Sequence, residues 1–447
     1  MHRERSQVLK HSFLSRSLCI LFASCLLCAL PATISGYAVL AHQALIDVVW
    51  ESQLKPLLRH RFPDATEDQL DAAEAYAYGG SIVQDFGYYP YGNPFFSDLT
   101  HYVRSGDFVA ALLRDAQDVD EYAFALGALA HYVSDNDGHP LATNRAVPLL
   151  YPDLRRKYGD TITYEDDRLA HVKTEFGFDV LQVAQQRYAP EEYHDFIGFE
   201  VSPDLLERSF QEIYGIPLKS IIPDEEKALN SYRHAVSKTI PKATRIAWSL
   251  KKDEILAAEP TATHRKFVYN LSRAQYDKEW GKDYGKPTFS DQLLAVLYRL
   301  VPKFGPLRVL QFKTPTPEAE KLFEASFNSA LARYRTLLRD EKAGQLKLPN
   351  TNFDIGDESY PGKYRLDDDA HAKLLHRLAA NKFQSIRPEL RAELLGFYSH
   401  PDAPYSTRKD PQAWAQVQAE IELLRQTPAS ASASASAATS AARTPPR

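Results

Sequence analysis

Apolar residues recur at helical spacing along most of the chain. In residues 38–50 an apolar stripe runs through Ala41, Leu45, Val48 and Val49, which predicts a helix. Thr66 and Gln69 form a capping-box pair, and the helix they open stops at Gly79-Gly80. Residues 122–132 (YAFALGALAHY) are apolar on every side, so they predict a buried helix, with Gly127 letting a neighbour approach closely. A further helix is expected from about Asp167 to Arg187. Amphipathic patterns then place helices at 224–239, 242–256, 289–301, 318–341 and 411–426. Alternating strand patterns are scarce, so the expected fold class is all-α. Residues 88–96 (YYPYGNPFF) read as an aromatic loop, punctuated by Pro90, Gly92 and Pro94.

Two segments stand apart from this pattern. Arg3, Arg5, Lys10 and Arg16 precede an apolar run over 17–30 and a short small-residue stretch over 31–36, the layout of a secretory signal peptide. The run is shorter than the roughly 20 residues a membrane span needs. Cys19, Cys25 and Cys28 all lie inside it, and the chain has 3 cysteines. An exported mature chain therefore relies on core packing or metal rather than on disulfides. From 428 onward the tail holds only Ala, Ser, Thr, Pro and Arg, a composition that cannot bury a core and reads as disordered. The expected organisation is a signal peptide at 1–36, a catalytic domain at 37–255, a helical accessory region at 256–427 and the tail at 428–447. Residues 289–312 are apolar with scattered Lys and Arg; a buried hairpin around Pro302 and Pro306 is favoured over a membrane-surface segment.

Composition narrows the partners. The chain is 447 residues long, and 53 basic against 58 acidic residues give a net charge of −5. Removing the leader's four basic residues and one acidic residue leaves 49 against 57. A broadly cationic nucleic-acid binder is excluded. A mean hydropathy of −0.39 excludes a multi-spanning membrane protein.

The chemistry concentrates in the first 175 residues. His131 and Asp135 stand four apart on the most apolar helix, where burying them without partners would cost about 2–7 kcal/mol each. His139 follows after the turn residues Asn136, Asp137 and Gly138. His171 and Glu175 repeat the four-residue spacing on the next strong helix. One helical turn brings such pairs together, so each could grip one cation or simply stabilise its helix. His42, Asp85 and His101 add donors upstream. Imidazole and carboxylate without thiolate suit zinc before manganese or iron. His371 and His376 follow the acidic run Asp367-Asp368-Asp369, which reads as a solvated helix start.

In chain order, His42, Asp85, His101, His131-x3-Asp135-x3-His139 and His171-x3-Glu175 resemble the zinc-dependent phospholipase C superfamily. That superfamily includes bacterial phospholipase C, glycosylphosphatidylinositol-specific phospholipase D and the S1/P1 nucleases. The resemblance covers about residues 37–200 and implies an all-α fold with three zinc ions in a cleft. By position it implies that Tyr37, as the mature N-terminus, and His42 hold one zinc. Asp135 then bridges to a second, completed by His101, His131 and Asp85. His139, His171 and Glu175 hold the third. Asp85 is also the expected water-orienting catalytic residue. A terminal amine titrates near about 8, so zinc displaces its proton readily. Three departures stand out. Tyr37 replaces Trp, the Asp135–His139 gap matches the phospholipase D branch, and Leu40 replaces an acidic choline-pocket residue.

The implied activity is a secreted or periplasmic phosphodiesterase, acting on phospholipid or another phosphodiester through metal-activated water. Phe86, Tyr88 and Tyr89 are the expected substrate-binding aromatics. Transient contact with a membrane surface, a monomeric state and no stable nucleic-acid partner are expected. Two alternatives stay open: an S1/P1-like single-strand nuclease, and a non-catalytic zinc-stabilised binding module.

Overall fold

The computed structural model describes residues 38–429 except 186, 190–193, 195–196 and 259–304. The leader and Tyr37, the helix expected at 289–301 and nearly all of the tail expected from 428 lie outside the described residues. The described residues are predominantly helical, and their extended structure is one two-stranded hairpin, Thr351–Asn352 (β1) with Asp357–Glu358 (β2).

The first part runs through α1 (Val39–Val49), a wide π turn at Trp50–Leu54, α2 (Lys55–Arg61) and α3 (Glu67–Gly80). A 3-10 turn at Val83–Tyr88 leads to α4 (Pro94–Tyr102), α5 (Ser105–Asp115) and α6 (Val119–Gly138). A π turn at His139–Thr143, α7 (Asn144–Leu150), α8 (Pro152–Tyr158) and α9 (Arg168–Ala184) follow. Then come α10 (Pro203–Tyr214), α11 (Glu225–His234) and α12 (Ile240–Ala258). A 3-10 turn at Gly305–Gln311, α13 (Pro317–Lys342), α14 (Arg365–Ala380), α15 (Pro388–Phe397) and α16 (Pro411–Gln426) complete the described chain.

Local chemistry sets these boundaries. The Thr66–Gln69 capping box forms as the sequence predicts. Asp118, Asp167, Asp224 and Thr316 each accept a backbone N–H from the first turn of the following helix. Pro94, Pro203, Pro317, Pro388 and Pro411 stand at first helical positions, where no N–H is needed.

Helix α6 is the axis, and nearly all of it is buried. It crosses α3 with two glycines at the contact. A methyl group on Gly80 would lie 1.9 Å from the Phe124 carbonyl oxygen, and one on Gly127 would lie 2.1 Å from that of Ala77. This close approach also lets Gln84 Nε2 donate to the Ala128 carbonyl at 3.0 Å. Helix α13 covers another side of α6: Tyr334 donates to the Leu126 carbonyl at 2.8 Å, and Ser329 to Asp137 at 2.6 Å. Arg187 joins the end of α9 to α13 through Glu320 at 2.8 Å and Glu324 at 2.9 Å. One continuous apolar core extends from Ala38 to Leu424, so the helices after residue 305 pack on those of the first part.

Three local expectations are corrected. Asn136, Asp137 and Gly138 form the last turn of α6 rather than a loop. The ladder loosens only at Pro140, which has no N–H for the Asn136 carbonyl, and the chain widens into the π turn. The aromatic loop is shorter than expected, because Pro94 starts α4 and takes Phe95 and Phe96 into it. The acidic start of α14 is not solvated. Asp367, Asp368 and His371 are buried, and His371 lies between Asp367 at 2.8 Å and Glu393 at 3.5 Å. Residues 305–312, the end of the apolar stretch around Pro302 and Pro306, include buried Val309, Leu310 and Phe312, and Phe312 packs edge-on against Phe176.

Candidate metal centre

Six elements deliver eight donors to one buried region: His42 from α1, Asp85 from the 3-10 turn, His101 from α4, His131 and Asp135 from α6, His139 from the π turn, and His171 and Glu175 from α9. All eight are buried. The four-residue spacings place His131 over Asp135 at 3.0 Å and His171 over Glu175 at 3.1 Å.

Asp135 is the hub of the first group. One carboxylate oxygen, Oδ1, faces His42 Nε2 at 3.4 Å; the other, Oδ2, faces His101 Nε2 at 3.3 Å and His131 Nε2 at 3.0 Å. Asp85 Oδ1 lies 3.4 Å from His101 Nε2. His42, His131 and Asp135 each offer one donor atom within 4.8 Å of the others, and so do Asp85, His101 and His131. The rings of His42 and His131 stack at 4.5 Å.

Backbone carbonyls aim the imidazoles. His101 Nδ1 lies 2.8 Å from the Ser97 carbonyl and His131 Nδ1 lies 3.0 Å from that of Ser81. A carbonyl only accepts, so each Nδ1 carries a proton, and a ring that gives up any second proton to a metal presents its lone pair at Nε2. Those two Nε2 atoms converge to 3.5 Å. Two lone pairs and a carboxylate oxygen aimed at one point suit a cation between them. Both oxygens of Asp85 lack a well-formed hydrogen bond in this buried position, which fits the same chemistry.

In the second group, Glu175 Oε1 faces His171 Nδ1 at 3.1 Å and His139 Nε2 at 3.3 Å. Here the outer partners are side chains. His171 Nε2 donates to Asn144 Oδ1 at 3.0 Å, and His139 Nδ1 pairs with Asp354 Oδ1 at 3.1 Å. Neither oxygen of Glu175 makes a well-formed hydrogen bond.

The electrostatics follow from packing carboxylates and imidazoles together out of water. Burial pushes His42 well below its usual range. It pushes His101 down too, but Asp135 and Asp85 outweigh it and raise that imidazole to about 10. Burial likewise opposes a proton on His139, but Asp135, Asp354 and Glu175 hold it well above the ordinary value. Asp135 stays well below the carboxylate range because His131 and His139 offset its burial. Burial raises Asp85, which makes it the more basic of the two carboxylates facing His101. The carboxylates thus hold positive charge at His101 and His139, a role that a divalent cation fills with greater charge.

The aromatic residues separate into two roles. The ring of Tyr88 lies 6.1 Å from His101 and 6.3 Å from Tyr164, and Tyr164 lies 5.7 Å from His171. These buried rings form a chain of contacts from His101 to His171, with the Arg168 guanidinium 5.2 Å above Tyr164. Phe86 instead packs against Phe96 and Tyr232 in the core, and Tyr89 packs on Tyr232 at 5.0 Å.

Sequence reasoning missed several supporting residues. Asp179 accepts the Leu40 N–H at 3.0 Å and so fixes the start of α1; burial pushes its carboxyl up to about 8. It continues the His171–Glu175 spacing by one more turn, so the helical period could have found it. Asn144 and Asp354 carried no such signal. Residues 40–223 match the family model described as zinc dependent phospholipase C. No curated protein and no solved structure matches the chain.

Proposed function

From the match of residues 40–223 to the zinc-dependent phospholipase C family, we propose that the protein is an exported phospholipase C-like hydrolase of phospholipid phosphodiesters. The observation that carries the reading is the convergence of His101 Nε2, His131 Nε2 and Asp135 Oδ2 beside Asp85. His42, Asp85, His101, His131 and Asp135 would hold two zinc ions, with the residue at 37 completing the His42 position. His139, His171 and Glu175 would hold a third. Zinc bound there supplies a Lewis acid for phosphoryl oxygens and lowers the pKa of a water toward neutrality.

The chain's own groups do the rest. Asp135 presents its two oxygens to different imidazoles, the arrangement a bridging carboxylate requires. Asp85, made more basic by burial, accepts the proton of the attacking water and orients its oxygen toward phosphorus. Tyr88 and Tyr164 form the wall along which a headgroup lies. Arg168, exposed at the edge of that wall, attracts an anionic diester toward the donors. The leader pattern supports action outside the cytoplasm.

The test is hydrolysis by mature protein of phosphatidylcholine, phosphatidylinositol and single-stranded DNA, with and without a chelator. Chelator-sensitive release of phosphorylated headgroup, leaving diacylglycerol, is expected. Cleavage of the DNA alone would move the protein to the nuclease branch. Zinc binding with no turnover of any substrate would make the cluster structural.

A further inference from the structure

Asp354 stands between the two strands of the β1–β2 hairpin, well beyond residues 40–223. Its carboxylate is buried, and each oxygen faces donor groups. Oδ1 faces His139 Nδ1 at 3.1 Å, and Oδ2 accepts the hydroxyls of Tyr102 at 2.7 Å and Tyr364 at 2.5 Å. The backbone of the same residue reaches the other imidazole. Asn144 Nδ2 donates to the Asp354 carbonyl at 2.6 Å, which leaves Asn144 Oδ1 turned to His171 Nε2. Beside it, Phe353 donates its N–H to the His101 carbonyl at 3.2 Å and sets its ring 5.2 Å from the His101 ring. The hairpin therefore braces three of the candidate ligands at once.

We propose that Asp354 is the outer carboxylate of the metal position built by His139, His171 and Glu175, and that the centre is incomplete without this C-terminal hairpin. Asp354 accepts from the His139 Nδ1–H, so Nε2 is the nitrogen left to bind the ion. The negative charge behind the ring also strengthens that nitrogen as a donor. Through its carbonyl and Asn144, the same residue fixes His171 with Nδ1 toward the ion. Asp354 touches neither substrate nor ion in this arrangement and is a positioning residue. The inference rests on the metal reading above.

Zinc titration of the full mature chain, in competition with a chromogenic chelator, tests it. Asp354→Asn keeps an acceptor for the Nδ1 proton but removes the charge. One zinc equivalent should weaken about 10–100-fold, with the others unmoved. Asn144→Ala, which spares the hairpin's own bonds to Tyr102 and Tyr364, should weaken the same equivalent. Tyr364→Phe keeps the charge and should leave every equivalent in place. A merely structural role would lower all equivalents together or none. If His139→Gln loses one equivalent while Asp354→Asn and Asn144→Ala keep wild-type affinity throughout, the inference fails alone. If the wild-type chain binds no zinc, or His139→Gln loses none, the metal reading fails and takes this inference with it.

Discussion

Gly127→Ala tests how the packing of two helices sets the site. A methyl group at this position meets the Ala77 carbonyl oxygen at 2.1 Å and the Ser81 nitrogen at 2.8 Å, both backbone atoms of the opposing segment. An ordinary contact begins at 3.4 Å, so α3 must retreat by about 1.3 Å. No flexible side chain is available to absorb the movement. Overpacking of this kind costs about 1–3 kcal/mol, and contact with backbone puts it at the upper end. The gain in helix propensity returns about 1 kcal/mol at most. A net loss of about 1–2 kcal/mol is expected. The same retreat carries the Ser81 carbonyl away from His131 Nδ1, now at 3.0 Å, and frees the ring that aims Nε2 at the cluster. Urea unfolding should show a lower midpoint at unchanged slope, and zinc affinity should fall with it. A variant as stable as wild type, with undiminished zinc affinity, would refute the argument from close approach.

Other consequences follow from the same geometry. Asp135→Asn removes the charge that three imidazoles share, so bound zinc and lipid hydrolysis should fall together; metal analysis and a headgroup-release assay on one preparation check this. His371, raised to about 10 by Asp367 and Glu393 against its burial, stabilises the fold most fully below pH 6.5, and that contribution is lost as pH rises through 10. His371→Leu leaves two carboxylates without their cation and should cost about 3–5 kcal/mol at pH 6 by urea unfolding, with the gap shrinking as pH rises from 6.5 to 10. Asp98 is raised to about 6 by burial, so ionising it costs stability as pH climbs from 3.8 to 6. Asp98→Asn should therefore stabilise the protein above pH 6 by at most about 3 kcal/mol, and the gain should vanish below pH 3.8 in a thermal-shift series.

The parts of the site that were legible in the sequence share a physical reason. Side chains four apart on a helix lie over one another, so His131 with Asp135 and His171 with Glu175 declared themselves by spacing. A His and an Asp inside an otherwise apolar helix also demand partners, which marked α6 as the place to look. The capping residue Thr66 announced α3, the helix that packs on α6, and Asp167 stands at the start of α9, which carries His171 and Glu175. Supports that come from far along the chain left no such trace. Asp354 follows Asn352 and Phe353 in a short hairpin, and only the folded chain brings it to His139. The run Asp367-Asp368-Asp369 misled for a related reason. Composition alone suggests solvent, yet the helical period turns Asp367 and His371 inward. Asp368 is occupied by the Gly362 and Ser406 N–H groups at 2.8 and 2.6 Å. Phe86 and Tyr88 show the limit of reading an aromatic cluster from composition. Two residues apart in one 3-10 turn, one faces the core and the other the donors.

Anomalous scattering at the zinc edge from crystals of zinc-saturated mature protein addresses the metal centre most directly. The account predicts a peak about 2.0–2.1 Å from both His101 Nε2 and His131 Nε2 or their bridged neighbours around Asp135, and another between His139, His171 and Glu175. Crystals of active protein with no zinc peak among these eight side chains would contradict it.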